Sequence, residues 1–230
     1  MKYFGEGLSE KHKELNSIIR KEEMLDKAKE LFLEIHAALH LSEATGTEHN
    51  EVDSLIEDLQ DKEYTIMPTS RDETIAWALW HMTRIEDLTM NYLVAGREQV
   101  FNETWRKKMK VRITDTGNAL TDEEIIALSS RINIRELLNY RSRVAERTRK
   151  IVSGLKAEDM KRKVQAADLD KILLKGGVTK HQDSIWLLDF WGRKNVAGIL
   201  LMPASRHIML HLNDCCKWKE YIRSKENYYM

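Results

Sequence analysis

The stretch Met202-Pro203-Ala204-Ser205-Arg206-His207-Ile208-Met209-Leu210-His211-Leu212-Asn213-Asp214 holds two histidines four residues apart. On an α-helix that spacing puts both side chains on one face, one turn above the other. The helical pattern runs from about Ala204 to Arg223, with His207, Leu210, His211, Asp214, Trp218 and Tyr221 sharing a face. A third histidine, His81, lies in Trp77-Ala78-Leu79-Trp80-His81-Met82-Thr83-Arg84-Ile85-Glu86-Asp87, far off in sequence and also helical by pattern. If the two helices pack together, three neutral imidazoles converge and leave a coordination position open. That is the layout of a catalytic metal site rather than a closed structural one.

The rest of the chain reads the same way. Met24, Ala28, Leu31, Phe32, Ile35 and Leu39 recur at helical spacing between about Lys21 and Leu41, and a short helix is expected near Val52–Leu59. Thr69 or Ser70 reads as the cap of the next helix, with Glu73 completing a capping box. That helix runs to about Val94, and the stripe Trp77, Ala78, His81, Ile85, Leu88, Tyr92 puts His81 on its apolar face. Phe101–Arg112 is basic and less periodic. Thr121-Asp122-Glu123-Glu124 opens another helix. A long one follows from about Ile134 to Leu155, with Leu137, Leu138, Val144 and Ile151 inward and arginines outward. Lys175-Gly176-Gly177-Val178 is a turn, and an apolar stretch from Asp183 or Ser184 ends near Met202. No strand-like alternation of any length occurs. The chain is expected to be all-α, a helical bundle.

The bulk composition agrees. Of 230 residues 42% are hydrophobic, enough for a substantial core, and 32% are charged, which suits long amphipathic helices. The only two prolines, Pro68 and Pro203, both precede helical patterns, so long uninterrupted helices are permitted. Lys+Arg and Asp+Glu are both 37, a balance that points away from nucleic acid and anionic membranes. Cys215 and Cys216 are adjacent and form no disulfide framework. Residues 1–10 lack the apolar core of a signal peptide, and no run reaches the roughly 18 apolar residues of a membrane span. The expectation is a cytoplasmic protein with a polar, loosely attached arm over residues 1–20 and one helical domain over 21–230.

Each histidine has competing readings. His207 and His211 lack the glutamate that follows the first histidine of a zincin motif. His81, among apolar neighbours, needs a partner, either a metal or a backbone carbonyl. His36 and His40 repeat the spacing of four beside the Phe32–Ile35–Leu39 stripe, and read as flanking residues, His40 being the one placed to line a pocket. His12, His49 and His181 lie in polar surroundings and read as solvated. Metal-bound imidazoles donate their second N–H to a carboxylate or carbonyl, which makes Glu86 and Asp214 candidates for that role. Asp87 reads at least as well as part of a salt-bridged helix surface. Of Trp77, Trp80, Trp186, Trp191 and Trp218, most are expected in the core and one or two walling a pocket.

Trp80-His81-Met82-Thr83-Arg84-Ile85-Glu86-Asp87 resembles the Trp-His-x-x-Arg-x-Glu-Asp segment on the second helix of the DinB/YfiT-like superfamily. Met202–Leu212 resembles its last-helix segment: a small residue, Arg, then His-x-x-x-His. The two come in the family's order, and the resemblance covers residues 20–224. It implies a four-helix bundle with up-down-down-up connections, here carrying extra short helices. It also implies one divalent metal ion, zinc or nickel, on His81, His207 and His211. Members of this family act as thiol transferases, joining bacillithiol or a similar low-molecular-weight thiol to electrophiles, or as mycothiol-dependent isomerases. The chain departs from the pattern at Trp77, where some relatives carry another histidine, and in a longer Phe101–Ile132 insertion, so the substrate is not implied.

These readings set the functional expectations. A metal-bound thiolate would attack a small-molecule electrophile, so that a thiol and an electrophile are the partners, without nucleic acid or membrane. The same ion could instead activate water for hydrolysis. The non-enzymatic alternative is a stress-linked binding or dimerising bundle, and a homodimer is suggested by family analogy alone.

Overall fold

The protein is described here from a computed structural model covering residues 7–226. Helices α1 (Leu8–Ile18), α2 (Leu25–Ala38), α3 (Ser42–Thr45) and α4 (Glu51–Asp58) come first. Next are α5 (Ile75–Leu88), α6 (Glu103–Met109), α7 (Asp122–Arg131) and α8 (Ile134–Ser153). The chain continues through α9 (Ala157–Lys161), α10 (Ala166–Leu174), α11 (Gln182–Gly192), α12 (Val196–Leu201) and α13 (His207–Glu226). Among the described residues there is no strand, only an isolated bridge between Lys163 and Asn195. No helix there is long and apolar enough to cross a membrane.

Four helices make the bundle. α5 packs on α8 and α13, while α2 packs on α8 and on the turn leading into α13. α5 is central: every residue from Ile75 to Leu88 is buried, charged ones included. Its polar side chains therefore need internal partners, and those partners define the functional region.

The local signals explain the boundaries. Thr121 and Glu124 form a reciprocal capping box at the start of α7. At α5 the expected cap is displaced. Thr74 Oγ1, not Thr69 or Ser70, accepts from Trp77 N at 3.0 Å, whereas Thr69 closes a separate turn with Asp72. α5 runs on through a π-helical turn, Thr89–Val94, to the expected end. A second π turn, Met202–Arg206, joins α12 to α13 around Pro203, which has no N–H to give an ordinary helical bond. The last α-helix thus begins at His207 rather than Ala204, and the π turn before it sets the angular position of His207 and His211.

Three readings are corrected. Residues 8–18 are not a loose arm but a helix on α2, with Leu15, Ile18 and Ile19 in the core; residues 1–6 lie outside the described part. Arg141 turns inward from the arginine-rich face of α8. Leu210 and Tyr221, placed on the histidines' face, are exposed, and the buried seam of α13 runs through Ile208, Leu212, Cys215 and Ile222.

Candidate metal centre

α5 and α13 bring His81, His207 and His211 together. His81 Nε2 lies 3.2 Å from His207 Nε2, and His211 Nε2 lies 3.1 Å from the same atom. His81 is buried and the other two are half-buried. In a tetrahedral site with metal–nitrogen bonds of about 2.0–2.1 Å, ligand atoms sit about 3.3 Å apart. The observed spacings are close to that edge.

Proton accounting points the same way. His81 Nδ1 lies 2.8 Å from the Thr116 carbonyl, which can only accept, so the ring's proton is on Nδ1 and Nε2 carries a lone pair. His207 Nε2 has at most one proton, and it would have to serve His81 and His211 at once. Meanwhile His207 Nδ1 and His211 Nδ1 are buried with no protein partner. A cation facing three lone pairs resolves the crowding at Nε2, and the donors suit a divalent transition ion. Burial keeps the rings neutral, as ligands must be. It lowers His81 to about 3, with the charge of His211 adding to the effect. It lowers His211 to about 4 against an opposing pull from Asp214, and holds His207 well below the ordinary imidazole value.

A strap of backbone holds His81 in place. Successive carbonyls of Thr114, Asp115, Thr116 and Gly117 accept from Arg84, Trp80, His81 and Trp77 of α5. The strap is itself fixed to the glycine turn, where Thr114 Oγ1 donates to the Gly176 carbonyl and Thr116 N to that of Gly177. The segment that looked like a mere insertion thus sets the tautomer of His81. Trp77 stacks on the His81 ring, with centroids 4.5 Å apart and planes 9° from parallel, and meets His211 edge-on.

The acids fall elsewhere than expected. Glu86 does not reach His81; its two oxygens face His36 Nε2 at 2.9 Å and His40 Nε2 at 3.2 Å. Five residues along a helix amount to a rotation of about 140°, so His81 and Glu86 leave α5 on different faces. His36 and His40 are accordingly wholly buried rather than flanking. Asp214 makes an ion pair with Lys217 and acts on His211 only through its charge. Asp87 is not on a surface: its carboxylate accepts from Arg84, Tyr140, Asn91 and the backbone of Val100 and Phe101. Of the solvated candidates, His12 reaches the Leu201 carbonyl, His49 pairs with Glu57, and His181 caps α11. Trp77, Trp80, Trp191 and Trp218 are buried, while Trp186 is half exposed.

Sequence reasoning missed the partnership of Glu86 with the first histidine pair. The signal was present in the equal spacing of His36 and His40 beside an apolar stripe, but the acid comes from another helix. Glu73 was seen only as a capping residue. Its carboxyl is pushed up by burial and then by Asp214 and Asp72, which groups three acids near the α5 N-terminus.

The family model described as the DinB superfamily matches residues 44–213, about three quarters of the chain, and includes His81, His207 and His211. A search of curated proteins finds no match.

Proposed function

The chain belongs to the DinB superfamily, and from that premise we propose that it is a metal-dependent thiol S-transferase. His81, His207 and His211 would hold one divalent ion, zinc or nickel, with a low-molecular-weight thiol and a small electrophile as substrates. The observation that carries the reading is the all-imidazole donor set, in which two Nε2–Nε2 contacts of 3.1–3.2 Å cannot both be ordinary hydrogen bonds.

When bound, the ion supplies the Lewis acidity that deprotonates a coordinated thiol. The three neutral rings contribute no negative charge, so they leave the open position attractive to an anion. Thr116 fixes His81 against rotation, and Trp77 walls one side of the cluster. The chain's own thiols do not fit the nucleophile's role: burial pushes Cys215 and Cys216 up, Cys216 to about 11.

Cobalt-substituted protein titrated with 2-mercaptoethanol tests this. A new sulfur-to-cobalt band that saturates, and that is absent in His207→Ala, is the expected result. An unchanged spectrum at saturating thiol contradicts thiolate binding and leaves water activation or a non-enzymatic bundle.

A further inference from the structure

On the other side of α5 the same kind of crowding recurs. His36 at the end of α2, His40 two residues beyond it and Glu86 of α5 are each wholly buried. One donor atom from each lies within 4.8 Å of the others. Only one good hydrogen bond joins them, between His36 Nε2 and Glu86 Oε1. His40 Nε2 is 3.2 Å from Glu86 Oε2, an ion-pair contact without hydrogen-bond geometry, and His36 Nδ1 and His40 Nδ1 have no hydrogen-bond partner. A ring nitrogen and a carboxylate oxygen at this distance without hydrogen-bond geometry are placed as two ligands of one ion, close to the edge of about 3.3 Å noted for a tetrahedral site. The two facing atoms, His40 Nε2 and Glu86 Oε2, are buried, and an ion between them would satisfy both.

We propose that His36, His40 and Glu86 form a second divalent-metal site that staples the end of α2 to α5. Two imidazoles and a carboxylate suit zinc or iron(II), and Glu86, with one oxygen toward each ring, can supply two donor atoms. The nearest buried cation, Arg141, donates to the Leu39 carbonyl at 2.7 Å and to Thr83 Oγ1 at 3.4 Å. Arg141 is thus held by its own partners and sets one positive charge near the one carboxylate of the cluster. Its closed surroundings make it a structural site. His36 and His40 lie outside the segment matched by the family model, and Glu86 lies within it.

The test is a metal count. Chelator-treated protein is loaded with cobalt(II), freed of excess by gel filtration and measured by mass spectrometry. Wild type is expected to hold two equivalents. Glu86→Gln, which keeps the side-chain shape, should hold one, and so should the triple variant His81→Ala, His207→Ala, His211→Ala. No metal in the triple variant overturns the proposal, whatever wild type holds. Two equivalents in Glu86→Gln would overturn it as well. Because the triple variant lacks only the first cluster, failure of that site and failure of this one give different counts.

Discussion

Replacing Gly117 by alanine should weaken metal binding without touching a ligand. Gly117 sits at φ +78°, and a Cβ there would lie 2.9 Å from Trp77 Nε1. Left-handed backbone costs a residue with a Cβ about 1–2 kcal/mol. The indole, which donates to the Gly117 carbonyl at 3.0 Å, must also shift, forfeiting a hydrogen bond of about 1 kcal/mol. The sum, about 2–3 kcal/mol, corresponds to a fall in Tm of about 5–10 °C for a chain of this size. Trp77 is nearly buried and stacked on His81, so the displaced ring presses on a ligand. Disturbing groups that orient ligands typically costs about 10–100-fold in metal affinity. Zinc competition against a fluorescent chelator reads that loss, and circular dichroism reads the melt. Gly96→Ala is the control: its φ is +61° with nothing within 4 Å of the added Cβ, so it should lose stability and keep its affinity. Gly117→Ala binding zinc within twofold of wild type, or Gly96→Ala losing as much, would refute the reasoning.

Asp87→Asn should destabilise the fold by about 3–5 kcal/mol, because Arg84 is left buried without its counter-charge and an amide nitrogen faces donors; a urea midpoint equivalent to less than 1 kcal/mol would contradict the network. Glu63, buried and bonded to Arg223 at 2.6 and 2.9 Å, is held below the ordinary carboxylate range chiefly by that arginine. A lowered folded-state value means stability that is present above the ordinary pKa of about 4.3 and lost as pH falls below it. Wild type should therefore lose stability more steeply between pH 5 and pH 3, on the order of that window, than Arg223→Met does. Parallel losses in thermal melts across that range would count against the pairing.

The helical periods of α2, α5, α8 and α13 were legible because each shows an apolar stripe at 3.6-residue spacing. The His207–His211 pair was legible because helix spacing fixes which side chains share a face; its meeting with His81, on another helix, was implied only by the family resemblance. The cap of α5 was not, since Thr69, Ser70 and Thr74 all carry a capping hydroxyl and only packing chooses among them. Nor was the strap, because backbone carbonyls have no sequence signature: Thr114 to Gly117 look like any polar loop until α5 lies beneath them. His36, His40 and Asp87 were read as peripheral for a related reason. A polar residue on a wholly buried helix, or beside an apolar stripe, shows its burial only when the partner from another helix is in place.

The central claim is that His81, His207 and His211 hold a metal ion, and the most direct measurement is metal content by mass spectrometry on untagged protein. Wild type is compared with His207→Ala and His211→Ala, each checked for native helicity. The account predicts zinc or nickel in wild type and one equivalent less in both variants. Wild type without metal after reconstitution, or variants that retain the full wild-type content, would contradict it.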